Sequence, residues 1–135
     1  MVEVEVFVEA EVNPTEDEAK VRQAIGTVLG NADFTLKPAA KGSIMLAHAK
    51  GPDALIKLRN LLRNDRIRDA ARRLLFKSIR GNTLSFFLNK QVAFAGHVSF
   101  SEETAESPLG PIKFTIETDN AQQLVEWLAE KTEKS

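Results

Sequence analysis

Residues 2–12 alternate without a break: Val2, Val4, Val6, Val8, Ala10 and Val12 fall on one side, and Glu3, Glu5, Phe7, Glu9 and Glu11 on the other. Strand side chains repeat every two residues, so the pattern demands a β-strand with one buried face and one wet face. The acidic outer row also discourages edge-to-edge aggregation. Asn13-Pro14 ends the run. Thr15 and Glu18 form a capping-box pattern and open a helix that turns Ala19, Val21, Ile25, Val28 and Leu29 inward, with Gly30 near its end.

Asp33 to Lys37 and Ser43 to Ala49 read as two short strands around a turn holding Pro38 and Gly42. Gly51-Pro52-Asp53 starts a helix, since proline is tolerated in a first turn, and Leu55, Leu58, Leu61 and Leu62 give it an apolar stripe. Asn64-Asp65 interrupts. A second helix is expected from about Arg66 to Ile79, ended by Gly81-Asn82, and Thr83 to Leu88 is a strand. Asn89 is placed as the N-cap of a short helical turn, Lys90 to Phe94, with Gly96 behind it. A brief strand carries Val98 and Phe100, and Ser101 to Pro111 is a loop. Ile112, Phe114 and Ile116 alternate on a last strand, and Asp119 caps a final helix built on Ala121, Leu124, Val125, Trp127 and Leu128.

Strands that follow one another and a two-helix insert argue against a doubly wound parallel sheet. No repeat or low-complexity linker divides the 135 residues. The expected architecture is therefore one α+β domain spanning 1–135, a mainly antiparallel sheet with helices packed on it and a frayed tail at 131–135.

Composition narrows the function classes. The chain has 43% hydrophobic and 27% charged residues, as a soluble globular domain does. No apolar run approaches the roughly 20 residues that span a bilayer, and the opening Met1-Val2-Glu3-Val4-Glu5 does not read as a signal peptide, so a cytoplasmic location is expected. The absence of cysteine excludes disulfides, thiolate nucleophiles and cysteine-based metal sites. His48 and His97 are the only histidines. There is no HExxH motif, phosphate-binding glycine loop or dinucleotide fingerprint. No catalytic residue, metal site or cofactor is assigned.

The formal net charge of −1 conceals strong polarity. Residues 50–90 hold 11 basic and 3 acidic groups, net +8, against net −4 before them and −5 after. Such a focused positive field points to a polyanionic partner. At about 100° per residue, Ile67, Ala70, Ala71 and Leu74 face inward on the second middle helix. Arg66, Arg73, Lys77 and Arg80 cluster opposite, Arg68 and Arg72 flank them, and Phe76 falls within the polar arc. Guanidinium groups fork onto phosphates, and a ring can stack on an unpaired base. The same residues also have structural uses, because cations near a helix C-terminus complement its dipole and Phe76 can pack beneath a neighbouring element. A second candidate is the turn at Asn89, Lys90 and Gln91, where two amides and an ammonium at a helix start could hold an anion.

Several stretches together resemble a known family. They are the opening Val-Glu-Val-Glu-Val strand with Asn13-Pro14-Thr15-Glu16-Asp17, Leu61-Leu62-Arg63, Arg66 to Arg72, Gly81-Asn82-Thr83, Phe87 to Gly96 and Ser107 to Ile112. In order and over nearly the whole chain, they are similar to small archaeal proteins whose fold is like that of the ribosomal large-subunit protein that holds the small ribosomal RNA. The resemblance implies an α+β fold with an antiparallel sheet and a role in binding RNA. It carries no catalytic residues, and only Arg66, Arg72, Asn89, Lys90 and Gln91 transfer as matching positions.

The reading that follows is a non-catalytic RNA-binding protein using Arg66, Arg68, Arg72, Arg73, Phe76, Lys77 and Arg80, with Asn89, Lys90 and Gln91 as a further nucleotide contact. One alternative is a homodimeric or protein-interaction module. The other is a small-molecule enzyme or sensor with an anion pocket at the 89–96 turn.

Overall fold

In the computed structural model, which describes residues 3–102 and 110–131, six strands form one sheet and five helices pack against it. β1 (Val4–Val12) lies near the middle, antiparallel to both β3 (Ser43–Lys50) and β6 (Pro111–Thr118). β2 (Asp33–Pro38) pairs with β3 at one edge. β4 (Thr83–Asn89) pairs with β6, and the two-residue β5 (Phe100–Ser101) closes the other edge. The order is β2-β3-β1-β6-β4-β5, with every pairing antiparallel. The fold is α+β, as the alternation and the interleaved helices required.

The even residues of β1 fill the core with Met45, Ala47 and Ala49 of β3, Leu84, Phe86 and Leu88 of β4, and Ile112, Phe114 and Ile116 of β6. Phe86 and Phe114 stack with ring centroids 5.0 Å apart. Among the described residues, helices cover this face alone. α1 (Glu18–Val28) contributes Val21, Ala24, Ile25 and Val28. A 3-10 turn (Pro52–Leu55) leads into α2 (Ile56–Asn64), which buries Leu58 and Leu62. α3 (Arg68–Ser78) buries Ala71 and Leu75, and α5 (Ala121–Leu128) buries Ala121, Leu124, Val125 and Leu128. α4 (Lys90–Phe94) is a single short turn packed on α1. None of the helices is long and apolar enough to cross a membrane, among the described residues.

The β2–β3 hairpin shows why glycine is required at one position. Gly42 has φ of +71°, and a Cβ there would lie 2.1 Å from the Val12 carbonyl oxygen at the end of β1. Any side chain would push the hairpin off its neighbour.

Several local expectations are corrected. The cap of α1 is Asp17, whose carboxylate accepts the Ala19 N–H, rather than Thr15 with Glu18. Asn120 caps α5 through the Gln123 N–H, while Asp119 accepts the backbone N–H of Glu3. Ala19 is exposed, and Ala24 takes the buried position expected of it. α3 begins at Arg68, not Arg66, and its buried line runs through Ala71 and Leu75, leaving Ala70 and Leu74 exposed. Most of the loop expected at 101–111 and the tail at 132–135 lie outside the described residues.

Candidate nucleic-acid interface

The register of α3 is set by the corner before it. Arg66 sits at φ of +59°, a left-handed conformation in a non-glycine residue, between the end of α2 and the start of α3. Asp65 anchors that corner: its carboxylate accepts the Val98 N–H at 3.0 Å and the His97 ring at 3.1 Å. The Val98 N–H, aided by His97, holds the Asp65 carboxyl below its ordinary range, against the opposing effect of burial. Arg66 is thus presented outward by a corner pinned to the segment after α4.

From there the cations divide. Arg73 and Lys77 are exposed and lie one turn apart on the outer side of α3, with Asp69 a turn before them. Arg63 and Arg66 are exposed at the corner. None of Arg63, Arg66, Arg73 and Lys77 forms an ion pair among the described residues. Arg80 is exposed beyond the helix and donates to the carbonyls of Lys77 and Ile79, so it also serves as a C-terminal cap.

Arg68, Arg72 and Phe76 form a separate, half-buried line along the side of α3. Arg72 bonds Glu126 on α5 and donates to the Ala129 carbonyl, and its guanidinium lies 4.9 Å from the Phe76 ring centre. Arg59 on α2 makes a parallel arrangement: it bonds Glu130, donates to the Trp127 carbonyl at 2.9 Å, and lies 5.3 Å from the Trp127 ring. These arginines cap the C-terminal end of α5. Phe76 and Trp127 also pack on the core. Arg72 and Phe76 are engaged with α5 and the core through these contacts.

Lys90 departs furthest from expectation. It is 3% exposed, and its ammonium donates to the Glu11 carbonyl at 2.6 Å and the Glu16 carboxylate at 3.0 Å. Burial works to raise the pKa of Glu16, yet the Asn13 N–H, the Lys90 ammonium and the Asn13 amide outweigh it and hold the carboxyl below its ordinary value. Asn89 accepts the Val92 N–H, capping α4 as expected. Gln91 alone of this trio is exposed, on the rim of a cleft of about 300 Å³ between α1 and α4. Lys90, the cation expected to serve an anion pocket at this turn, is paired inside the fold, and Lys20 of α1 also lines the cleft. α4 packs on α1 and β4, whereas α3 packs on α2, α5 and β4, and the segment after α4 meets the corner before α3 at Asp65.

The opposite face of the sheet bears no helix among the described residues. Across it, in register, run Lys50, Glu5, Glu117 and Thr83; then Asp33, His48, Phe7, Thr115 and Ser85; then Thr35, Leu46, Glu9, Lys113 and Phe87. Phe7 is 39% exposed and lies against the His48 ring, which bonds Glu5. Carboxylates outnumber ammonium groups in these rows, so the face is a poor match for phosphate. Sequence reasoning placed Phe7 on the wet side but missed its contact with His48, which depends on the β1–β3 register.

Among the described residues the site is thus an exposed cationic edge on α3, without an ion-pair partner, on an α+β domain with one helical layer. The chain matches the model of a family described as RNA binding over residues 5–118, and it belongs to that family. Relatives carry the name UPF0201 protein. Those of Sulfurisphaera tokodaii and Saccharolobus solfataricus are each 43% identical over 129 residues, covering 96% of this chain and 89% of the relative. The crystal structure of the UPF0201 protein from Methanococcus jannaschii is 32% identical with a TM-score of 0.82, covering 96% of this chain and 95% of that one.

Proposed function

We propose that this protein binds RNA without catalysing a reaction, gripping backbone phosphate with the outer edge of α3 and the corner before it. Arg66, Arg73 and Lys77 are the principal contacts, with Arg63, Arg68 and Arg80 at the margins. The observation that carries the reading is the run of exposed cations with no carboxylate partner among the described residues, in a chain of an RNA-binding family. The likeness to a ribosomal protein implied by the sequence is part of this reading, although shared fold is weak support for function. In this reading Arg72, Phe76, Asn89 and Lys90 act within the fold rather than touching RNA. A cytoplasmic location fits such a role.

The test is a double charge reversal, Arg73→Glu with Lys77→Glu. The log–log dependence of RNA affinity on salt should become shallower by about 2, one for each lost phosphate contact. An unchanged slope and affinity would remove the ridge from the interface.

One observation favours a second reading, a homodimeric or protein-interaction module: the helix-free sheet face with Phe7 exposed beside Leu46 and His48. Sedimentation over a wide concentration range checks it. A mass that stays monomeric throughout would dismiss the homodimer.

A further inference from the structure

We propose that the ligand of the α3 ridge is duplex RNA, held through its sugar–phosphate backbone with no base stacked on the protein. This rests on the reading of the ridge as the RNA interface and specifies which RNA it takes.

The inference comes from the rings around the ridge. A protein that holds single strands needs a cationic groove and free aromatic faces on which successive bases stack. Here the two rings beside the cations are half-buried, each packed on the core and carrying a guanidinium over it. Phe76 packs on the core beneath the Arg72 guanidinium, and Trp127 packs on the core beneath that of Arg59. Each arginine is fastened by a glutamate and a backbone carbonyl of the segment 126–130, so neither lid swings aside without giving up charged hydrogen bonds.

Of the other exposed rings, the His97 imidazole at the corner beside Arg66 is fastened to the Asp65 carboxylate and is a single ring rather than a row for successive bases, and the rest belong to different surfaces. Phe7 stands between Glu5 and Glu9 on β1, on a face that repels phosphate. Phe94 is on α4, with the Lys20 ammonium 5.8 Å from its ring centre. What remains on α3 is a helix edge about 16 Å long carrying Arg73 and Lys77, with Arg66 at one end and Arg80 at the other. Such an edge can meet phosphates and 2′-hydroxyls presented by a rigid double helix, which is read by shape rather than by base.

Fluorescence anisotropy of the whole protein with a mixed-sequence RNA duplex of roughly 16 base pairs and an oligouridine strand of equal length provides the test. The duplex should bind about tenfold more tightly or better, with a log–log salt slope of about −3 to −4 for four phosphate contacts. Phe76→Leu, confirmed folded by circular dichroism, should leave duplex affinity within about twofold. Equal or tighter binding of oligouridine overturns the inference while leaving the ridge as an RNA site. So does a tenfold or greater loss of duplex affinity in Phe76→Leu. Binding of neither RNA overturns the reading of the ridge itself. The duplex-to-strand ratio of the unaltered protein decides the matter even where the variant does not fold.

Discussion

Lys90 and Glu16 form the most buried ion pair among the described residues, and the ammonium also holds the Glu11 carbonyl. Removing one partner of a buried ion pair leaves a charge with no compensation. Lys90→Met should therefore lower stability by about 3–5 kcal/mol, read from urea unfolding, while RNA affinity of the folded fraction stays unchanged. Retained stability would mean that the ammonium is not the clamp between β1, the segment before α1 and α4. Asp65 gives a pH signature. Its carboxyl titrates below the ordinary 3.8 in the folded protein, so the unfolded chain binds the proton more readily. The stabilisation is complete above that ordinary value and is lost as pH falls through the folded one. Glu16, held below 4.5, acts with the same sign. In Asp65→Asn the fall in urea midpoint between neutral pH and pH about 3 should be smaller than in the native chain. Arg66 supplies the complementary case. Its left-handed backbone is disfavoured by roughly 1–2 kcal/mol for a residue with a Cβ, so Arg66→Gly should leave stability unchanged or raised by up to about 1 kcal/mol and still weaken RNA binding. Loss of stability in that variant would contradict the description of the corner.

At the scale of elements, α3 carries two kinds of arginine that sequence alone places on one surface. Arg72→Ala removes a bridge to Glu126, a bond to the Ala129 carbonyl and a cover on Phe76, and should destabilise by about 1–3 kcal/mol. Arg73→Ala, one residue on, should change stability by no more than about 0.5 kcal/mol but reduce RNA affinity. Thermal melts of both variants beside their RNA titrations check the contrast. The strands were readable because alternation leaves no choice of face: Val4 to Val12, Ile112 to Ile116 and Leu84 to Leu88 all bury the side that the pattern demanded. The facing of α3 was not. Leu74 and Leu75 are adjacent and equally apolar, and the corner that pins Asp65 to Val98 decides which points inward. Caps shifted for a related reason. Thr15, Asp17, Asp119 and Asn120 all have capping chemistry, and the choice turns on distant partners: Lys90 holds Glu16 beside the first helix start, and the Glu3 N–H takes Asp119. The role of Lys90 was illegible because its partner is 74 residues away.

Over the whole molecule, the central cations are not one continuous field. Arg59, Arg72 and Lys90 are neutralised by the chain's own carboxylates, and Lys57 and Arg80 are tied to backbone carbonyls. The outward charge is concentrated at the corner and outer edge of α3, while the far side of the sheet carries Glu5, Glu9, Glu11 and Glu117. In the proposed reading this opposition orients the molecule toward a polyanion, with attraction at the α3 edge and repulsion at the sheet. The most direct measurement is the salt dependence of duplex RNA affinity for the native chain beside the Arg73→Glu, Lys77→Glu variant. The native slope should be about −3 to −4 and the variant's shallower by about 2. Equal slopes for the two proteins would contradict the account at its centre.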